Sequence, residues 1–169
     1  MRRMVERQKV KPQIEDAISG VLNGDALKTA LDFIEYLREN KMNPRWMSTD
    51  TWKINYKDHV LCYFRLDPDS GVLHINPWIA EYEGDSLSDE LKEIAWARAN
   101  RHRPCQHNQK YGGCCGYRLK TVFGREYSNP CQSMLIFDDL GDGTTDCVKA
   151  LLELRKSAIL GGKGRKNWM

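Results

Sequence analysis

The sequence predicts an α+β fold: an antiparallel sheet of about five strands with helices packed on it, plus a cysteine-rich loop and a hairpin. Three observations predict it. Apolar residues recur at helical spacing up to residue 39. The period then falls to two across three short runs separated by turn residues, and the helical period returns near residue 87 and again after residue 143. Strands gathered in one run, instead of alternating singly with helices, make an antiparallel meander.

The elements follow in order. "PQIEDAISGVLNG" sets Ile14, Ala17, Ile18, Val21 and Leu22 on one helical stripe, with Pro12 near its start and Gly24 past its end. "DALKTALDFIEYLREN" carries a second stripe of Leu27, Ala30, Leu31, Ile34 and Leu37, with Asp25 as N-cap, and residues 40–44 end it. "TWKINYK" alternates Trp52, Ile54 and Tyr56 against Lys53, Asn55 and Lys57, a half-buried strand. "HVLCYFRL" is apolar nearly throughout, which suits a strand covered on both faces, and "DPDSG" turns the chain into "VLHINP". A third long helix over 86–100 turns Leu87, Leu91, Ile94, Ala95 and Ala99 inward, with acids in its first turn where the helix dipole favours them. "CQSMLIF" reads as a strand. "TTDCVKALLELRKSAI" reads as the closing helix, capped by Thr144, with Val148, Leu151 and Leu152 inward. Residues 12–160 thus form one domain between a basic, flexible N-terminus (1–11) and a basic, flexible tail (161–169).

Apolar residues make up 41% of the chain and charged residues 29%, a balance that builds a core and excludes a disordered polymer. No apolar run nears the roughly 18 residues of a membrane span, and the basic start lacks the apolar stretch of a secretory signal. The expectation is a cytoplasmic protein without a membrane partner. In a reducing compartment six cysteines point to metal, redox work or burial, not to a disulfide framework. Residues 94–125 hold seven Lys or Arg and no acid, and the chain beyond Glu153 is basic only. Such blocks can meet phosphate. The plainer reading, a solvated face and a frayed tail, is preferred because counterion-driven binding needs several cations on one surface.

Residues 103–132, "RPCQHNQKYGGCCGYRLKTVFGREYSNPCQ", hold four of the six cysteines. With Gly124 and Arg125 as the two turn residues of a hairpin, Phe123 faces Glu126 and Cys131 falls opposite Arg118. Cys115 then lies about 10 Å along the strand. A bend at Gly116 can close that gap, while Pro130 confines its strand to an edge. Zinc takes four sulfur or imidazole ligands. Cys105, Cys131 and one of Cys114 and Cys115 supply three, with His107 or the other vicinal cysteine as fourth. No C-x2-C pair is present, so two readings stand beside the zinc clip. Cys114 and Cys115 can close a strained, easily reduced disulfide, with Lys110, Arg118 and Lys120 lowering a thiol pKa. Or the cysteines are simply buried, which is how Cys62 and Cys147 read from their strand and helix patterns.

"GGCCGYRLKTVFGREYSNPC", followed by a strand and "DCVKALLELRK", with "ALDFIEYLRENKM" and "WKINYKDHVLCYF" upstream, resembles a group of small uncharacterised bacterial proteins. In that group a helix and a strand meander precede a cysteine-rich loop, an FG-[KR]-E-aromatic hairpin and a final helix. The resemblance spans most of 25–158. It implies one α+β domain with the cysteine loop as a unit, and no reaction.

Other motifs fail on spacing. "DDLGDGTTD" puts Leu140 and Lys149 at positions where a calcium loop needs oxygen ligands, and "GGKGRK" lacks P-loop spacing. His59 and His102 read as surface residues, and His74 as an exposed histidine or a polar pocket lining. Aromatic residues are ordinarily core and rim. Trp46, Trp52, Tyr56, Tyr63 and Trp78, with His74, are nonetheless the set that could line a pocket for a planar ligand. The function expected is a non-enzymatic module that binds a small molecule or protein, with a structural zinc clip. The alternatives are a thiol-based redox or metal sensor, and a weak nucleic-acid binder acting through 98–125, with Arg101, Arg103, Lys110, Arg118, Lys120 and Arg125 on phosphate.

Overall fold

The computed structural model describes residues 11–77, 87–99, 120–127, 135–141 and 143–162. Helices α1 (Ile14–Ser19) and α2 (Gly24–Glu39) lead into strands β1 (Met42–Ser48), β2 (Thr51–Tyr56), β3 (His59–Asp67) and β4 (Val72–Pro77). Helix α3 (Asp89–Ala99), strands β5 (Lys120–Val122) and β6 (Arg125–Tyr127), and helix α4 (Thr144–Leu160) follow. β1 to β4 form one antiparallel sheet in chain order, and β5 pairs with β6 as a separate ribbon. The α+β class and the meander are as expected. Four details differ.

The first is β1, which sequence reading takes for a helix stop because of Pro44. Pro44 lies opposite Ile54 within the ladder. It is tolerated because β1 is the sheet's edge, where a missing N–H need not face a partner. Second, the sheet has four strands among the described residues, not five. From "CQSMLIF" the described part contributes a single bridge, Phe137 to Ile75, with N–H···O bonds of 2.8 and 2.9 Å in the two directions. Pairing stops there because Asp138 and Asp139 turn aside to His74 and Arg98.

Third, the hairpin register is shifted. Val122 pairs with Arg125 and Thr121 with Glu126, so Phe123 and Gly124 are the turn residues, at φ 49° and 84°. Two positive φ angles define the turn that prefers glycine second. A left-handed Phe costs roughly 1–2 kcal/mol. Its ring is 6% exposed in the core, and burying a Phe side chain is worth about 1.5–3 kcal/mol, so burial outweighs the strain. Fourth, Asp25 and Thr144 lie inside their helices. Asn23 and Gly143 take the cap positions without side-chain capping bonds, and Gly143 sits at φ 75°. A Cβ on Gly143 would come within 3.2 Å of Ile94 Cδ1, so the tight entry to α4 excludes a side-chain cap there.

Directly opposed residues share a face of the sheet. Trp46, Trp52, Phe64, Ile75 and Phe137 therefore form one row running across it. All but Trp46 are at most 2% exposed. α2 lies on this row, Phe33 stacking on Phe64 at 5.9 Å between centroids. α4 is tied to α2 by the Tyr36 hydroxyl, which donates to Glu153 Oε1 at 3.0 Å. α4 buries Cys147, Val148, Leu151 and Leu152, and Arg155 with them. The basic stretch after Glu153 is thus packed helix as far as Leu160 and not a frayed tail; residues 163–169 lie outside the described ones.

Candidate functional site

The aromatic row is closed at one end by Phe137 and open at the other, where β1 is the last strand. A cleft of about 440 Å³ lies at that open end, with Trp46 and Trp52 beside Pro12 and Pro44. Trp52 Nε1 donates to the Pro12 carbonyl at 3.5 Å, which holds the segment leading into α1 over the indole. The Trp46 indole N–H is buried and has no hydrogen-bond partner among the described residues. Lys11, Arg38, Arg45 and Lys53 also line the cleft. Arg38, in the last turn of α2, pairs with Glu15 at 2.6 Å. Arg45 and Lys53 alternate with the two tryptophans, so their side chains leave the other side of the ladder, and both residues contribute to the lining of the cleft. They stand directly opposite each other, and like charges so placed destabilise a sheet.

Of the expected pocket residues, the structure brings Trp46 and Trp52 together and leaves the others elsewhere. Tyr56 is under Lys57 and Lys156, at 5.7 and 5.4 Å from its ring centroid. Tyr63 is on the opposite face from the aromatic row, between Lys53 and Asn76, and burial pushes its phenol up. His74 is only about one-third exposed, with Nδ1 2.8 Å from Asp138 Oδ1. His59 is half-buried, not a surface residue, because it closes the β2–β3 turn opposite Tyr56. Trp78, His102 and the whole metal set, Cys105, His107, Cys114, Cys115 and Cys131, lie outside the described residues. Among the described residues no cluster of three His, Cys, Asp or Glu could hold a metal ion.

Cys62 and Cys147 are buried core residues, as expected. Burial pushes the Cys62 thiol well up, and pushes Cys147 up to about 11 against the opposing charge of Arg98. Neither forms much thiolate at neutral pH. Arg98 and Arg125, from the basic segment, are both engaged. Arg98 bonds both oxygens of Asp139 at 2.9 and 3.0 Å. Arg125 lies 3.6 Å over the Trp96 ring and pairs with Glu93 at 2.9 Å, while Trp96 Nε1 donates to the Val122 carbonyl at 2.8 Å. That clamp fixes the hairpin to α3. Arg101, Arg103, Lys110 and Arg118 lie outside the described residues.

A second cleft of about 330 Å³ lies between α2 and the loop before α4, walled by Leu22, Ala30 and Leu73 with Asp25, Asp138 and Asp139 at its rim. Two of those three carboxylates already hold His74 and Arg98. The first cleft has the larger unused chemistry. Its cations are the residues that sequence reading missed. A signal for two of them was present: Arg45-Trp46 and Trp52-Lys53 mirror each other about a turn, and the pairing matches tryptophan to tryptophan and cation to cation. Comparison with family models, curated proteins and solved structures finds no match for this chain. No helix among the described residues is long and apolar enough to cross a membrane.

Proposed function

We propose that the chain is a non-enzymatic binding module whose ligand sits in the Trp46–Trp52 cleft. One observation carries this reading: a row of mostly aromatic side chains ends at Trp46 and Trp52 in a cleft of about 440 Å³. That volume falls in the range of about 300–1,000 Å³ usual for small-molecule sites. Titrating aromatic fragments into protein labelled at the indole nitrogens tests it. The Trp46 and Trp52 signals move together while that of Trp96, bonded to Val122, stays. If no fragment moves the first two, the cleft is not a ligand site.

A structural zinc held by Cys105, Cys131 and one of Cys114 and Cys115, with His107 or the other vicinal cysteine as fourth, belongs to the same proposal, in a cytoplasmic setting that keeps the thiols reduced. The supply of four sulfur or imidazole ligands within residues 105–131 supports it. Protein purified without a metal-affinity tag then carries about one zinc per chain, and chelation lowers its melting temperature. Metal-free protein with reactive vicinal thiols would instead favour the redox reading.

A further inference from the structure

Resting on the reading of this cleft as a ligand site, we infer the class of ligand: a small planar organic anion, an aromatic ring bearing a carboxylate or phosphate group. The ring half of this assignment comes from Trp46. It is the one member of the aromatic row left half-buried, and the cleft lies against it. An aromatic ring laid against Trp46 can take the offset geometry such pairs prefer.

The anionic half comes from two features of the cleft wall. Among the described residues, four cations line it and no carboxylate does. Of these only Arg38 has an acidic partner among the described residues, Glu15. Lys11, Arg45 and Lys53 are left without one, and Arg45 and Lys53 are opposed in the ladder at a cost that an anion between them would offset. A cationic ligand would meet like charge on this wall and offset neither feature. The second cleft, with three carboxylates at its rim, has the opposite character.

The test uses the full chain, labelled at the indole nitrogens, and four probes: naphthoate, its neutral counterpart naphthylmethanol, inorganic phosphate and a short oligothymidylate. Naphthoate moves the Trp46 and Trp52 signals and binds at least about tenfold more tightly than naphthylmethanol, with the difference shrinking as salt is added. Replacing both cations, Arg45→Gln with Lys53→Gln, removes most of that preference and most of its salt dependence. Equal binding of the acid and the alcohol overturns the anion assignment and leaves the cleft as a ligand site. Phosphate displacing naphthoate at matching concentration overturns the ring. An oligothymidylate that binds more tightly than naphthoate replaces the small ligand with a nucleic-acid strand. Silence of both indoles to all four probes removes the ligand site itself.

Discussion

Two indoles in this molecule stand among cations, and they are used differently. At Trp96 every polar group is matched: the ring carries the Arg125 guanidinium, that guanidinium holds Glu93, and the indole N–H reaches the Val122 carbonyl. At Trp46 the N–H has no acceptor among the described residues, and three of the four nearby cations have no acid among them. The residue types are nearly the same. What differs is closure. The first constellation is complete within the protein and pins a hairpin to a helix, and the second is left open among the described residues. Composition alone cannot separate a structural aromatic–cation cluster from a binding one, whereas counting unmatched donors and charges can.

The largest way to break the comparison is to remove the floor of the open cleft. Trp52 is 2% exposed, between Trp46 and Phe64 in the row. Trp52→Ala should lower stability by about 3–5 kcal/mol, the usual cost of deleting a buried large aromatic, read from urea unfolding followed by circular dichroism. A loss below about 1 kcal/mol would mean that the row is not the core it looks like. Next comes Trp96→Phe, which keeps a ring but strands the Val122 carbonyl. It should cost about 1–3 kcal/mol and raise hydrogen exchange in β5 and β6 more than in β1 to β4. Uniform loosening of both sheets would show that the clamp is not local.

A smaller effect is expected from the outer half of the clamp. Arg125 and Glu93 are both about half exposed or more. Replacing each by Ala, and then both, should give a coupling of only about 0.2–1 kcal/mol that fades with salt. The Arg125→Ala loss should exceed the Glu93→Ala loss, because Arg125 also leaves the Trp96 face, a contact worth about 0.5–1 kcal/mol at an exposed site. Equal losses would put the attraction in the ion pair alone.

The helices were readable in the sequence because each carries its own stripe and punctuation, and a 16-residue stripe such as that of α2 needs no partner to be seen. The meander of β2 to β4 was readable for the same reason. β1 was not, since Pro44 forbids a central strand and only the tertiary fact of being at an edge permits it. The hairpin register was misjudged because the choice of turn depended on whether Phe123 would accept a left-handed backbone, and burial in a distant core decided that. The site shows the same division. Trp46 and Trp52 were recognisable as aromatics of interest, whereas Lys11 and Arg38 join them through contacts between the α1 entry, the end of α2 and the sheet edge, which local spacing does not encode.

The sharpest contrast is also the smallest in magnitude. Trp46→Phe makes the same chemical change as Trp96→Phe, indole to phenyl, but at a nitrogen with no partner among the described residues. Removing a buried donor that lacks an acceptor recovers about 1–3 kcal/mol of desolvation, and the smaller ring gives back part of that in lost contact on a half-buried face. The net should lie within about 0.5 kcal/mol of the parent or slightly on the stabilising side, the range of substitutions away from any structural feature. Side-by-side urea melts of the two variants decide it. A loss for Trp46→Phe as large as that for Trp96→Phe would mean that the Trp46 N–H is matched after all, and the difference between the two indoles would disappear. Stability unchanged or raised, with naphthoate binding weakened in the same variant, would mean that the indole is kept at that position for a ligand and not for the fold.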